Sequence, residues 1–110
     1  MNKPPKMLHL SLYKKAFDVM VSGEKKKEIR KPSDWIKSRM LDKQGNEKRF
    51  DVVKFTNGYG SDKPFFIAKY LGFYIAVESK LLNYSNGLIV KESVGDVVLV
   101  FGGIIEKGNL

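Results

Sequence analysis

Apolar and polar residues alternate at the start of the chain in the pattern of a β-strand. Leu8, Leu10 and Leu12 are separated by His9 and Ser11. This period of two is typical of a strand that buries one face and exposes the other. The pattern therefore predicts a first strand around residues 8 to 12.

A helix is predicted immediately afterwards. Four large side chains recur at the spacing of one helical face, and they are Tyr13, Phe17, Met20 and Val21. Ser11 is a residue type that caps helix N-termini, and Gly23 is the type that ends helices in a left-handed conformation. We expect a helix of about three turns between these two residues.

The rest of the chain predicts one short helix and several strands. Pro32 and Ser33 precede the segment that contains Trp35, Ile36 and Met40, where Ser33 is a plausible helix cap. Strands are predicted at residues 52 to 56, 65 to 77 and 97 to 105, with a bulge or bend at Gly72 and a hairpin turn at Asn86-Gly87. These elements predict an α+β domain in which the helices pack on a small mixed barrel or closed sheet.

Composition restricts the class of protein. The 110 residues suffice for one modest core, so we expect one domain over residues 1 to 110. The chain has no cysteine, which excludes disulfides, thiolate metal sites and a cysteine nucleophile. It shows neither a secretory signal nor a run of about 20 apolar residues. We expect a cytoplasmic protein without a membrane partner, a metal or a cofactor.

Positive charge is concentrated in the first third of the chain. Residues 1 to 40 contain 11 basic and 4 acidic side chains, a balance of +7, whereas the whole chain carries +8. A focused basic surface attracts polyanions, of which nucleic acid is the commonest in a cell. Lysine is also a common solubilising residue, so the charge alone leaves both interpretations open.

Charged residues follow Gly23 in an order that places several of them together. If residues 26 to 30 form a strand, Lys26, Glu28 and Arg30 share one face. Lys25 reaches that face only from the turn after Gly23. A carboxylate beside a guanidinium suits recognition of a base edge or ribose hydroxyl and of a phosphate, but it is equally a structural ion pair.

This segment, Gly23-Glu24-Lys25-Lys26-Lys27-Glu28-Ile29-Arg30, fits the Gly-x-Lys-x-x-Glu-x-Arg signature of the ASCH domain family. The run from Asp51 to Tyr59 also resembles the strand and Asn-Gly-Tyr segment of small, phage-like members of that family. The resemblance implies a PUA-like β-barrel with two or three short helices and a role in RNA metabolism. It also implies a cleft near the signature.

The resemblance suggests which residues hold a ligand such as RNA or a nucleotide-like small molecule. The predicted cleft is lined by Lys25, Glu28, Arg30, Asn57 and Tyr59. A surrounding nucleic-acid surface is predicted from Lys14, Lys15, Lys26, Lys27 and Trp35. Trp35 and Tyr59 are candidates for base stacking because they lie in polar contexts, although aromatic residues of a small barrel are more often core. Asn57 precedes a glycine, so it is also a turn former.

Two other functions remain open. Some small ASCH relatives are amidohydrolases that act on acylated cytidine nucleosides, in which a lysine activates a threonine three residues later. Here Lys25 stands at the position of that lysine, but Glu28 stands at the position of the threonine. The only threonine of the chain is Thr56. Lys25 and Glu28 would then act as general acid and base, or the protein would resemble a metal-independent ribonuclease. The third function is an adaptor that docks an acidic protein surface.

Overall fold

The computed structural model describes residues 4 to 110. In this range the chain forms two helices and seven strands in a mixed order. The elements are β1 (Met7–Leu12), α1 (Lys14–Val21), β2 (Lys27–Arg30), α2 (Asp34–Met40), β3 (Val52–Asn57), β4 (Phe65–Ile75), β5 (Lys80–Asn83), β6 (Ile89–Glu92) and β7 (Val97–Gly108).

Five strands form one curled sheet that resembles half of a barrel. Their order across the sheet is β1-β3-β4-β7-β2, in which β1 and β3 are parallel and the other neighbours are antiparallel. Strands β1 and β2 are therefore the two edges. The remaining strands, β5 and β6, pair only with each other in a separate hairpin.

The concave side of the sheet carries the hydrophobic core. Leu8, Leu10 and Leu12 are buried there, which confirms the strand predicted from their alternation. Helix α1 adds Phe17 and Met20 to the same core. The predicted α+β class, with helices beside a small curled sheet, is confirmed.

Helix α1 differs from its prediction at its start. It has eight residues, which is about two turns rather than three. The predicted Ser11 cap is wrong, because Ser11 belongs to β1 and pairs with Thr56 of β3 in the parallel ladder. The N-cap position is Tyr13, whose side chain makes no capping hydrogen bond. The assignment of Tyr13 to the buried helical face is also wrong, since its side chain precedes the helix and is exposed.

Two glycines adopt the predicted special conformations. Gly23 has a φ of 88° and its amide donates to the Met20 carbonyl, so it ends α1 and turns the chain toward β2. Gly72 has a φ of 115° and lies where the pairing of β4 with β7 shifts register. This irregularity bends the longest strand pair and helps the sheet to curl.

The strands predicted at 52 to 56, 65 to 77 and 97 to 105 are observed as β3, β4 and β7, although β4 already ends at Ile75 and β7 extends to Gly108. The predicted helix cap and hairpin turn are confirmed. The Ser33 hydroxyl accepts a hydrogen bond from the Ile36 amide and caps α2. Asn86 and Gly87 form the turn of the β5–β6 hairpin. In residues 4 to 110 the structure contains no helix that is long and apolar enough to cross a membrane.

Candidate functional site

The candidate site lies at the seam between the two edges of the half-barrel. The Arg30 guanidinium on β2 donates to the Ser11 carbonyl on β1 at 2.8 Å, so one side chain bridges the two edge strands. A cavity of about 300 Å³ opens beside this bridge. We call it the seam cavity, and its lining includes Ser11, Tyr13, Lys25, Glu28, Arg30 and Val90.

Three charged side chains form a continuous chain along one wall of the seam cavity. The Lys25 ammonium lies 3.2 Å from Glu28 Oε1 and also donates to the Lys27 carbonyl. Arg30 Nε lies 2.9 Å from Glu28 Oε2. Each carboxylate oxygen therefore accepts from a different cation. This arrangement confirms that Glu28 and Arg30 are neighbours and that Lys25 reaches them from the turn after Gly23.

Lys25 is an unusual member of this group because its side chain is only 1 % exposed. Burial lowers the pKa of its ammonium, while the charge and hydrogen bond of Glu28 act in the opposite direction. Its nitrogen also lies 6.0 Å from the centre of the Tyr84 ring, which belongs to the hairpin turn. Lys25 is thus held against Glu28, where it orients the carboxylate.

Arg30 retains capacity for a ligand. A guanidinium has five N–H groups, of which one donates to Glu28 and another to Ser11. The side chain is partly exposed and lines the seam cavity. Its planar donor array matches the oxygens of a phosphate or carboxylate. An anion that enters the seam cavity could therefore accept hydrogen bonds from the N–H groups of Arg30 that are still free.

The β5–β6 hairpin covers one side of the seam cavity through Leu88 and Val90. Polar contacts fasten its tip to the body of the protein. Glu24 accepts from the Ser85 amide at 2.8 Å and from the Ser85 hydroxyl at 2.6 Å, and these bonds lower the pKa of Glu24. Asn86 donates to the Lys15 carbonyl at 2.9 Å. Strand patterns alone did not indicate that this hairpin belongs to the site.

Tyr13 is a site residue that the sequence prediction missed. It lines the seam cavity, yet its side chain is 90 % exposed. A large aromatic ring at the mouth of a cavity is available for stacking on a planar ligand. The helical spacing that placed Tyr13 in the core concealed this role, since a residue one position before the helix does not follow its periodicity.

Neither Asn57 nor Tyr59 lines the seam cavity. Asn57 pairs with Leu12 at the end of the β1–β3 ladder, and the Gly58 amide donates to the Leu12 carbonyl at 3.1 Å. The Tyr59 side chain is exposed in the loop that follows. Their assignment to the ligand site stays a prediction.

The five residues of the predicted nucleic-acid surface are dispersed. Lys14 pairs with Asp18 at 2.7 Å, and Lys15 lies beside the hairpin tip. Lys26 precedes β2 and lines another cavity, between α1 and β7, so it does not share the Glu28 face. The Lys27 ammonium donates to the Tyr74 hydroxyl at 3.1 Å. The Arg39 guanidinium carbon lies 5.1 Å from the centre of the Trp35 ring, so Trp35 packs against Arg39.

Thr56 is not placed for nucleophilic chemistry in the seam cavity. Its hydroxyl donates to the Leu10 carbonyl at 3.4 Å within the β1–β3 pair. The chemistry that the seam cavity offers is therefore that of Lys25, Glu28 and Arg30. These groups supply hydrogen-bond donors, one carboxylate and a lysine whose pKa is lowered.

Comparison of the chain with protein-family models, with curated proteins and with solved structures finds no match. The resemblance to the ASCH family therefore stays a prediction that rests on the residues of the signature.

Proposed function

We propose that this protein is an ASCH-type domain with a PUA-like fold that binds RNA or a nucleotide-like ligand in the seam cavity. The observation that carries the proposal is the chain of contacts from Lys25 through Glu28 to Arg30 along the cavity wall. It ends in a guanidinium that still has N–H groups to offer. We assign Arg30 to a phosphate of the ligand.

The size of the seam cavity suits one nucleotide. Its volume of about 300 Å³ lies at the lower end of the range for small-molecule sites, about 300 to 1,000 Å³. Tyr13 at the mouth offers a stacking surface for a base, which is worth about 1 to 3 kcal/mol per base. A longer RNA would place one nucleotide in the cavity and the rest along the neighbouring surface.

Three of the predicted surface lysines, Lys14, Lys15 and Lys27, contribute attraction rather than selectivity in this proposal. Lys14 and Lys15 begin α1 beside the cavity mouth, and Lys27 starts β2. The ion pair of Lys14 with Asp18 is exposed and therefore weak, so the positive charge of Lys14 can still attract a polyanion. Contacts of this kind give affinity that falls with salt, whereas the cavity gives discrimination between ligands.

Binding of a fluorescently labelled, short single-stranded RNA tests this assignment. At physiological salt we expect Arg30→Ala to weaken binding about tenfold or more, because charge-assisted hydrogen bonds to phosphate are lost. Arg49→Ala is the matched control, since it removes the same charge from an exposed position outside the seam cavity. Fluorescence anisotropy gives both affinities. Equal weakening by the two variants would contradict a specific role for Arg30.

A hydrolase is the second candidate, and the Lys25–Glu28 contact favours it. A lysine whose pKa is lowered by burial, hydrogen-bonded to a carboxylate, is a suitable pair for general acid and base catalysis. The RNA recovered from the binding assay tests the ribonuclease form of this candidate, because cleavage that disappears in Lys25→Met would support catalysis. The amidohydrolase form leaves RNA intact, and hydrolysis of an acylated cytidine nucleoside by wild type but not by Lys25→Met would support it. An acidic protein partner, the adaptor function, would compete with RNA but not with free nucleotides.

A further inference from the structure

A second cavity lies between helix α2 and the sheet, and it shares no lining residue with the seam cavity. Its volume is about 350 Å³, and residues of α2, of the second half of β4 and of the start of β7 line it. We call it the α2 cavity. Its apolar lining includes Ile36, Met40, Leu41, Phe73, Ile75 and Val97.

The α2 cavity extends from the hydrophobic core to the solvent. Ile36, Met40 and Val97 are buried core residues, whereas the Ile75 side chain is 49 % exposed. Phe73 and Ile75 are two positions apart on β4, so they face the same side of the sheet. The walls of an empty apolar cavity lack packing partners on one side. An apolar ligand would therefore gain dispersion contacts and also remove apolar surface from water.

The turn before β7 leaves one side of the α2 cavity without a side chain. Gly95 lines the cavity with a φ of 91°, and its amide donates to the Ala76 carbonyl at 2.8 Å. This left-handed conformation disfavours any residue that has a β-carbon. A β-carbon at Gly95 would meet no atom within 4 Å. The turn therefore contributes only backbone to the cavity, and no side chain fills the space beside it.

Lys37 is the one charged residue in the lining of the α2 cavity among residues 4 to 110. It is exposed, and none of the ion pairs in this range involves it. A lysine stem packs well along apolar surface while its ammonium stays in water. Asp96, the acid of the neighbouring turn, is already engaged by Lys31 at 3.1 Å and by the Ser93 amide at 2.8 Å. The α2 cavity thus combines apolar walls with one positive charge that has no acidic partner.

We propose that the α2 cavity binds a small anionic amphiphile, in which an apolar chain ends in a carboxylate. The chain lies against the apolar walls, and the carboxylate pairs with Lys37. Small-molecule sites have volumes of about 300 to 1,000 Å³ and mostly apolar walls with a few polar groups, and the α2 cavity has both properties. A neutral ligand would leave Lys37 unused, and a cation would be repelled by it. This site is independent of the nucleotide site proposed for the seam cavity.

An NMR titration of the isotopically labelled protein with octanoate tests the inference. We expect amide shifts at residues 36 to 41, 73 to 75 and 95 to 97, around the α2 cavity. Affinity should rise about fourfold for each methylene added between butanoate and octanoate, because each buried methylene adds hydrophobic free energy. Octan-1-ol and octylamine have the same chain length, and both should bind more weakly than octanoate.

Lys37→Met keeps an apolar stem and removes the charge. Its affinity for octanoate should fall about threefold to tenfold, while its affinity for octan-1-ol should persist. Lys91→Met is the matched control, since it removes the same charge from an exposed position outside the α2 cavity. We expect this control to bind octanoate as wild type does.

Several outcomes would overturn the inference. Equal losses in Lys37→Met and Lys91→Met would mean that the net charge attracts octanoate without a site. Equal affinity for octanoate and octan-1-ol would mean that the cavity takes a neutral apolar group, such as a side chain of a partner protein. Amide shifts outside the α2 cavity, or none at about 10 mM octanoate, would remove the site itself. None of these outcomes bears on RNA binding in the seam cavity.

Discussion

Replacement of Glu28 by alanine is expected to lower the free energy of unfolding by about 3 to 5 kcal/mol. The reason is that Lys25, which is 1 % exposed, would lose its only acidic partner in the described part of the chain. Arg30 would lose the same partner, but it is partly exposed and reaches water. Urea unfolding followed by circular dichroism measures the change.

Lys25→Met is the matched control for this experiment. It keeps the length and apolar character of the stem while it removes the charge, and Glu28 retains Arg30 at 2.9 Å. We expect Lys25→Met to be neutral or stabilising. The double variant Lys25→Met, Glu28→Gln should be more stable than Glu28→Ala, because it leaves no unpaired buried charge at Lys25. A cost of less than about 1 kcal/mol for Glu28→Ala would mean that the ion pairs behave as exposed surface pairs and that Lys25 does not depend on Glu28 for its burial.

The difference in stability between wild type and Lys25→Met depends on pH. Burial lowers the pKa of Lys25 below its ordinary value of 10.5. Between the folded-state pKa and 10.5, the unfolded chain binds more protons at this site than the folded protein does. Stability therefore rises with pH through this window. We expect the free energy of unfolding of wild type to rise relative to that of Lys25→Met as pH is raised from neutral toward 10.5.

Phe66→Ala is expected to have an effect of similar size, about 3 to 5 kcal/mol. Phe66 is fully buried, and its ring centre lies 5.5 Å from that of Phe17, 5.2 Å from that of Phe55 and 6.2 Å from that of Phe101. Loss of the ring leaves a cavity where α1 packs on the sheet. Denaturant unfolding at constant pH provides the measurement.

Tyr59→Ala is the control for Phe66, because it removes an aromatic ring that is exposed in a loop. Its effect should stay within about 0.5 kcal/mol. Comparable losses in the two variants would mean that the aromatic cluster does not organise the core.

The sequence predicted those parts of the fold that depend on local patterns. The alternation at Leu8 to Leu12 predicted β1, Asn86-Gly87 predicted the hairpin, and Gly72 predicted the irregularity in β4. Local patterns contain no information about which distant strands pair. The parallel pairing of β1 with β3 and the separation of the β5–β6 hairpin therefore appear only in the structure.

The site was predictable to the same extent. Spacing within the signature placed Glu28 beside Arg30, and the turn at Gly23 allowed Lys25 to join them. The seam itself depends on long-range topology, since Arg30 reaches Ser11 across the two sheet edges. Tyr13 was hidden by an apparent helical period.

An NMR titration of the isotopically labelled protein with a short single-stranded RNA at physiological salt tests whether the seam cavity holds the nucleotide. We expect amide shifts to concentrate around the seam cavity, at residues 11 to 13, 28 to 30 and 88 to 90. The Arg30→Ala protein should show these shifts only at much higher RNA concentration. Shifts spread over exposed lysines, equal in both proteins and abolished by salt, would contradict a nucleotide site in the seam cavity.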